Sequence, residues 1–263
     1  MFQTTYIEYK EEIMPISTPS KWERNFFVLI LGLVHHVMDV LLRMWIQVNV
    51  LVKKVLYHSN IQNEVTFLEN ASKLKFQKVP SHIAVAFLET SISLQYAAKI
   101  ILWSMASGAQ AVSMYDLNGF LKSHIDELKD YVAQLQSCTE NKRHIEWNKY
   151  SKSDFSVNIL SRTDGLGDIV EAARHLAESV SKGEMESESI NERTLGARLS
   201  ASKGMPDPEV LLRFGLAHSN QGFPPWQLRL SEIHDLDTHH GVTKEDFYQI
   251  LLKYSGCQQR FGR

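Results

Sequence analysis

The sequence predicts an α/β domain with a largely parallel central sheet flanked by helices, preceded by an N-terminal membrane helix. Three observations carry this expectation. Over residues 79–263, short apolar runs of strand length alternate with longer runs of helical period, the pattern of βαβ crossovers. The first of the short runs, IAVAFL, is apolar throughout, as a strand covered on both faces requires. Residues 26–52 are mostly apolar over about 27 positions, or ~40 Å as a helix, which is enough to cross a bilayer.

Residues 1–25 are mixed in polarity and carry Pro15 and Pro19. They lack the basic start, short apolar run and small-residue cleavage site of a signal peptide, so a mobile leader is expected. Within 26–52, His35, Asp39, Arg43 and Gln47 recur every fourth residue and line one stripe of a helix, with Asp39 and Arg43 at ion-pair spacing. Three placements suit such a segment: embedded in a membrane with the stripe facing protein or water, lying in the interface, or buried in a soluble core. The first is the expectation. Lys21 and Arg24 precede the run and Lys53 and Lys54 follow it, so the charges do not orient it. Residues 53–78 read as a polar helical connector stopped by Pro80; the sequon Asn70-Ala71-Ser72 within it is expected to be unused.

Beyond Pro80, strands are expected at 83–88, 111–115, 157–160, 210–214 and 228–233. Helices are expected at 94–106, 118–136, 168–181 with Gly183 as its stop, and 243–258, where Thr243 and Asp246 have capping-box spacing. Residues 137–154 are polar and are expected to be irregular.

Composition excludes several functions. Lysines and arginines number 28 against 30 acidic residues, a net charge of -2, so no global field for nucleic acid exists. The two cysteines, Cys138 and Cys257, have no partner at metal-ligand spacing, which fits a reducing compartment and argues against a disulfide scaffold. Asp164-Gly165-Leu166-Gly167-Asp168 lacks the third glycine and the Lys-Ser/Thr ending of phosphate loops, so a turn before a helix is expected. His234, Asp235, Asp237, His239 and His240 match no zinc spacing and are expected in a loop before the last helix. There is no Gly-x-Ser-x-Gly elbow, and neither cysteine has a local histidine base.

The chain ends in Arg260-Phe261-Gly262-Arg263. An Arg-x-Gly at a terminus is either a chance tail or a phosphate grip, in which a guanidinium fork and closely approaching backbone N–H groups meet phosphate oxygens.

Three segments together resemble the cis-prenyltransferases, and more closely the non-catalytic, Nogo-B receptor-type subunit of dehydrodolichyl diphosphate synthase complexes. The first is Val79-Pro80-Ser81-His82-Ile83-Ala84-Val85-Ala86-Phe87-Leu88-Glu89, similar to the family's first strand. Active members end that strand in Met-Asp-Gly-Asn-Arg-Arg, with an aspartate that organises Mg²⁺ and the diphosphate; Leu88 stands in its place. The second is Val112-Ser113-Met114-Tyr115-Asp116-Leu117-Asn118-Gly119. The third runs from Asp207 through Arg213, Phe214 and Gly215 to Gly222-Phe223-Pro224-Pro225-Trp226. Active members carry an Arg-Thr-Ser-Gly-Glu-x-Arg phosphate clamp there. Arg213 keeps the first arginine at matching distance from the tryptophan, and Ser219 replaces the second.

The resemblance covers about residues 79–263 and implies an undecaprenyl diphosphate synthase-like fold. It also implies a subunit inert alone, with a degenerate catalytic position at Leu88 and a vestigial clamp at Arg213 and Ser219. Arg260 and Gly262 would enter the active site of a catalytic partner, which itself holds Mg²⁺. Isopentenyl diphosphate and farnesyl diphosphate would be the substrates, membrane lipid the setting, and the endoplasmic reticulum membrane the location, with the globular domain cytosolic. A membrane-tethered receptor or scaffold with a degenerate prenyltransferase fold is the alternative that the eroded motifs also suit.

Overall fold

The computed structural model describes residues 21–56, 61–199, 204 and 206–258. The expected leader, apart from residues 21–25, lies outside the described residues. The chain divides into two units, residues 1–47 and 48–263.

In the first unit, helix α1 (Lys21–Leu56) begins. Its stretch Asn25–Val48 has a mean hydropathy of 1.9 and is long and apolar enough to cross a membrane. Large apolar side chains such as Phe27, Leu31, Met38 and Trp45 are exposed along it. Exposed apolar surface of this extent, beside the stripe of His35, Asp39, Arg43 and Gln47, calls for a non-aqueous partner.

The second unit holds α2 (Ile61–Leu74), β1 (His82–Phe87), α3 (Leu94–Ala106), β2 (Ala111–Asp116), α4 (Phe120–Ser123) and α5 (Ile125–Ser137). There follow β3 (Ile145–Trp147), β4 (Phe155–Ser161), α6 (Leu166–Ser181), α7 (Glu192–Gly196), β5 (Val210–Phe214), β6 (Glu232–Leu236) and α8 (Lys244–Gly256). The six strands form one sheet in the order β3-β4-β2-β1-β5-β6, and every pairing is parallel. All residues of β1, β2 and β4 are buried, which is why their sequences are apolar or small at nearly every position.

One face carries Ile83, Val85, Phe87, Val112, Met114, Ile159, Leu212 and Phe214, packed with side chains of α2, α3, α5 and α8. The segment expected as a connector thus contributes Val65 and Leu68 to the main core. Glu64, also buried, accepts from Trp103 Nε1 at 2.9 Å and Lys99 Nζ at 3.2 Å, tying α2 to α3. The opposite face is built from Ala84, Ala86, Tyr115, Leu160 and Leu211, closed by Phe223 with Leu88 and Leu228 beside it.

Three of the expected elements differ from the structure. The helix expected at 118–136 is two helices broken at His124: the Asp116 carboxylate accepts from the N–H groups of Phe120 (2.7 Å) and Leu121 (3.0 Å) and starts α4 as a separate turn. The polar insertion contains β3, a short edge strand. The strand expected at 228–233 is β6 at Glu232–Leu236. It is the other edge strand, with no fully buried position and with Glu232, His234 and Asp235 interrupting any apolar run, so the apolar-run criterion misplaces it. His234 and Asp235 consequently lie on that strand and not in a loop. The capping box of α8 is formed: Thr243 Oγ1 accepts from Asp246 N at 3.2 Å, and Asp246 Oδ2 from Thr243 N at 3.0 Å.

Candidate functional site

In parallel α/β sheets ligands bind in the crevice beyond the carboxyl ends of the strands. Here Leu88 follows β1 and Arg213 lies near the end of β5, with the ends of β2 and β4 beside them in the sheet.

Leu88 follows β1. Its N–H donates to Phe214 O at 2.8 Å, and its side chain packs on the second-face cluster. Gly215 has φ +125°, and a Cβ there would lie 3.2 Å from the Leu88 carbonyl, so only glycine suits this approach. A leucine side chain offers no ligand to a cation. Its neighbour Glu89 is already engaged: it accepts from Thr238 Oγ1 at 2.5 Å, His239 N at 2.9 Å and the His239 ring. Burial pushes the Glu89 carboxyl up, but the bonds from His239 and Thr238 outweigh it and hold the group below the usual carboxylate range. The head of β1 therefore does not fit a magnesium–diphosphate centre.

Glu89, His239 and His240 bring ligand-type atoms within 4.8 Å of one another. The hydrogen bonds argue against an ion between them. Fully buried His239 donates from Nδ1 to Glu89, while its Nε2 accepts from Ser93 N at 2.8 Å. A metal on Nδ1 would force the proton onto Nε2, facing the Ser93 N–H; a metal on Nε2 would break that bond. The arrangement instead ties the loop before α3 to the loop after β6. Asp237 takes no part in it.

At the end of β5, Arg213 is held in a bidentate pair with Asp235: Nε donates to Oδ1 at 2.6 Å and Nη2 to Oδ2 at 2.9 Å. Nη1 donates to Asn220 Oδ1 at 3.0 Å. The Arg213 hydrogen bonds hold the Asp235 carboxyl below its ordinary range, against a smaller push upward from burial. Ser219 is exposed. Register puts Arg213 beside Ala86 and, across β1, Tyr115, so it shares the second face of the sheet.

The crevice itself is occupied by the chain. Tyr115 OH donates to Gln221 O at 2.7 Å, and its ring lies 5.2 Å from that of Phe223. Burial pushes the Tyr115 hydroxyl up to about 12, so it stays a donor. A Cβ on Gly165 would stand 2.1 Å from Gly222 O, showing how closely the 220–223 segment crosses the turn after β4. That turn is the Asp164-Gly165-Leu166-Gly167-Asp168 sequence. Asp164 is fixed there by Ser161 N at 2.7 Å and by the Lys122 ammonium. The 221–223 segment thus lies against the ends of β2 and β4.

Motif reading located Leu88 and Arg213 but missed Asp235 as the partner of Arg213 and Gln221–Gly222 as the filling. The partners are remote in sequence, and no local spacing marks them. Arg260 and Gly262 lie outside the described residues; α8 and the two residues after it carry the described chain as far as Gln258.

A family model described as putative undecaprenyl diphosphate synthase matches residues 123–262, more than half of the chain. Dehydrodolichyl diphosphate synthase complex subunit Nus1 of Mus musculus is 33% identical over 201 residues, covering 71% of this chain and 67% of that protein. The Homo sapiens subunit is 32% identical over 203 residues, covering 71% and 68%. Lavandulyl diphosphate synthase from Lavandula x intermedia, crystallised with dimethylallyl diphosphate, superposes with a TM-score of 0.54 at 17% identity, over 70% of this chain and 99% of that one. That likeness shows the shared fold. The chain belongs to the cis-prenyltransferase family, and within it to the kind represented by the Nus1 subunits.

Proposed function

We propose that this protein is the non-catalytic subunit of a heteromeric cis-prenyltransferase, the complex that adds isopentenyl units to farnesyl diphosphate to make the long polyprenyl diphosphate used for dolichol and protein glycosylation. The observation that carries the reading is the self-filled crevice: Gln221, Gly222 and Phe223 occupy the strand ends, and Arg213 is already neutralised by Asp235. The relatives' names, as subunits of a synthase complex, support it from a second direction.

In this reading the catalytic partner binds Mg²⁺ and both diphosphates, and this chain supplies Arg260 and Gly262 in trans. A guanidinium fork and backbone donors contributed by one polypeptide stabilise negative charge held by another. Residues 26–52 anchor the complex at the endoplasmic reticulum membrane with the globular unit on the cytosolic side, so that the apolar product is released beside lipid.

The test is co-expression with an active subunit and measurement of isopentenyl incorporation. The chain alone is expected to be inactive. In the complex, Arg260→Ala or deletion of the last four residues is expected to lower incorporation about a hundredfold without loss of complex. Unchanged incorporation in an intact complex would leave the scaffold reading instead.

A further inference from the structure

The last turn of α8 and the two residues beyond it are fastened to the segment that leads into β1. Ser255, 4% exposed, accepts the Gln77 N–H on its hydroxyl at 2.6 Å, with the Lys78 N–H at 3.4 Å. The Lys78 ammonium donates to Cys257 O at 2.6 Å and stands 4.4 Å from the ring centre of buried Tyr254. Cys257 N in turn donates to Tyr254 O at 3.1 Å. These bonds bridge 177 to 179 residues of sequence and meet where the chain leaves its last helix.

We infer that Lys78 and Ser255 form a clasp that positions the root of the Arg-x-Gly segment, making Lys78 a positioning residue for isopentenyl diphosphate in the shared site. The inference rests on the trans-supply reading above. Its physical basis is reach. Two residues separate Cys257 from Arg260, and three steps of at most about 3.6 Å each limit the reach from the Cys257 Cα to that of Arg260 to ~11 Å. A tether that short cannot absorb a root displaced by several ångströms. The effective concentration of the arginine at the diphosphate then falls, although every group that touches substrate is still present. Lys78 suits the role because a single side chain fixes both the terminal carbonyl of the root and the ring beneath it.

The experiment uses the complex with its catalytic partner at saturating farnesyl diphosphate and varied isopentenyl diphosphate. Lys78→Met is expected to raise the KM for isopentenyl diphosphate about three- to tenfold, with kcat and the melting temperature of the complex nearly unchanged. Lys78→Arg keeps a donor and a cation over the ring and is expected to restore the KM. Adding Ser255→Ala to Lys78→Met is expected to raise it further. A lowered melting temperature with unaltered KM would reduce the clasp to a staple of α8 and overturn the inference. If Lys78→Met is silent while Arg260→Ala raises the KM, the clasp fails and the trans-supply reading stands. If Arg260→Ala is silent too, that reading itself fails.

Discussion

The two faces of the sheet are built on opposite plans. The first is covered by four helices and filled with large aliphatic and aromatic side chains, among them Trp103, Ile101 and Phe247, all buried. The second is lined by Ala84, Ala86, Ser113 and Tyr115 and is closed largely by a loop, whose Phe223 seals it. Small residues on one face of a parallel sheet leave room for something to lie against it, and in this chain its own 220–223 segment does so. The difference separates two plans on one framework: one face holds the fold together with large side chains, and the other is lined by small ones and covered by the chain's own 220–223 segment.

If the first face carries the stability, truncating it should be the most damaging change. Trp103→Ala empties a large buried volume and removes the indole donor to the buried Glu64 carboxylate. The expected loss is about 4 kcal/mol, seen as a lowered urea midpoint at unchanged slope. Leu88→Ala, on the second face and only partly buried, should cost no more than about 1–2 kcal/mol. Equal losses would break the comparison.

Acid should act on the second face first. His82 lies there in line with Ala84 and Ala86, its Nδ1–H donating to Pro206 O at 2.6 Å and its Nε2 accepting from Ser113 Oγ at 2.9 Å. Burial pushes its pKa down to about 4 from 6.5, against smaller upward pulls from the Pro206 bond and Glu209. A proton is bound by the unfolded chain below 6.5 and by the folded chain only below about 4. Stability is therefore full above pH 6.5 and declines as the pH falls towards 4, by about 3 kcal/mol from this group. Unfolding measured at pH 7 and pH 5 should show the decline in the native sequence and a shallower one in His82→Gln.

How much of this was legible follows the same division. Strands β1, β2 and β5 announce themselves because central parallel strands are apolar throughout. The edge strands β3 and β6 do not, since no residue of either is fully buried and polar side chains such as Glu146, Glu232 and Asp235 interrupt their apolar runs. The break at His124 was hidden because it depends on one carboxylate, Asp116, capturing two backbone N–H groups. At the crevice, family likeness pointed to Leu88 and Arg213 by position. What Arg213 does depends on Asp235, 22 residues later and on the neighbouring strand, and sequence spacing does not predict strand register.

The smallest expected effect sharpens the comparison most, because it sets two arginines against each other. Arg213 spends its fork on Asp235 and Asn220, and a cation so engaged is a weak receptor for diphosphate. Replacing it by methionine leaves Asp235 with His218, at 3.2 Å, on a partly exposed edge strand. Solvent there screens the carboxylate, so the stability loss should be only about 1 kcal/mol, with a coupling of similar size in a double-mutant cycle with Asp235→Ala. The complex should synthesise polyprenyl diphosphate at its native rate with Arg213→Met and lose most of that rate with Arg260→Ala. An Arg213→Met complex that folds, assembles and yet fails in synthesis would mean that the crevice of this chain still handles substrate, and that its filling loop opens to admit it.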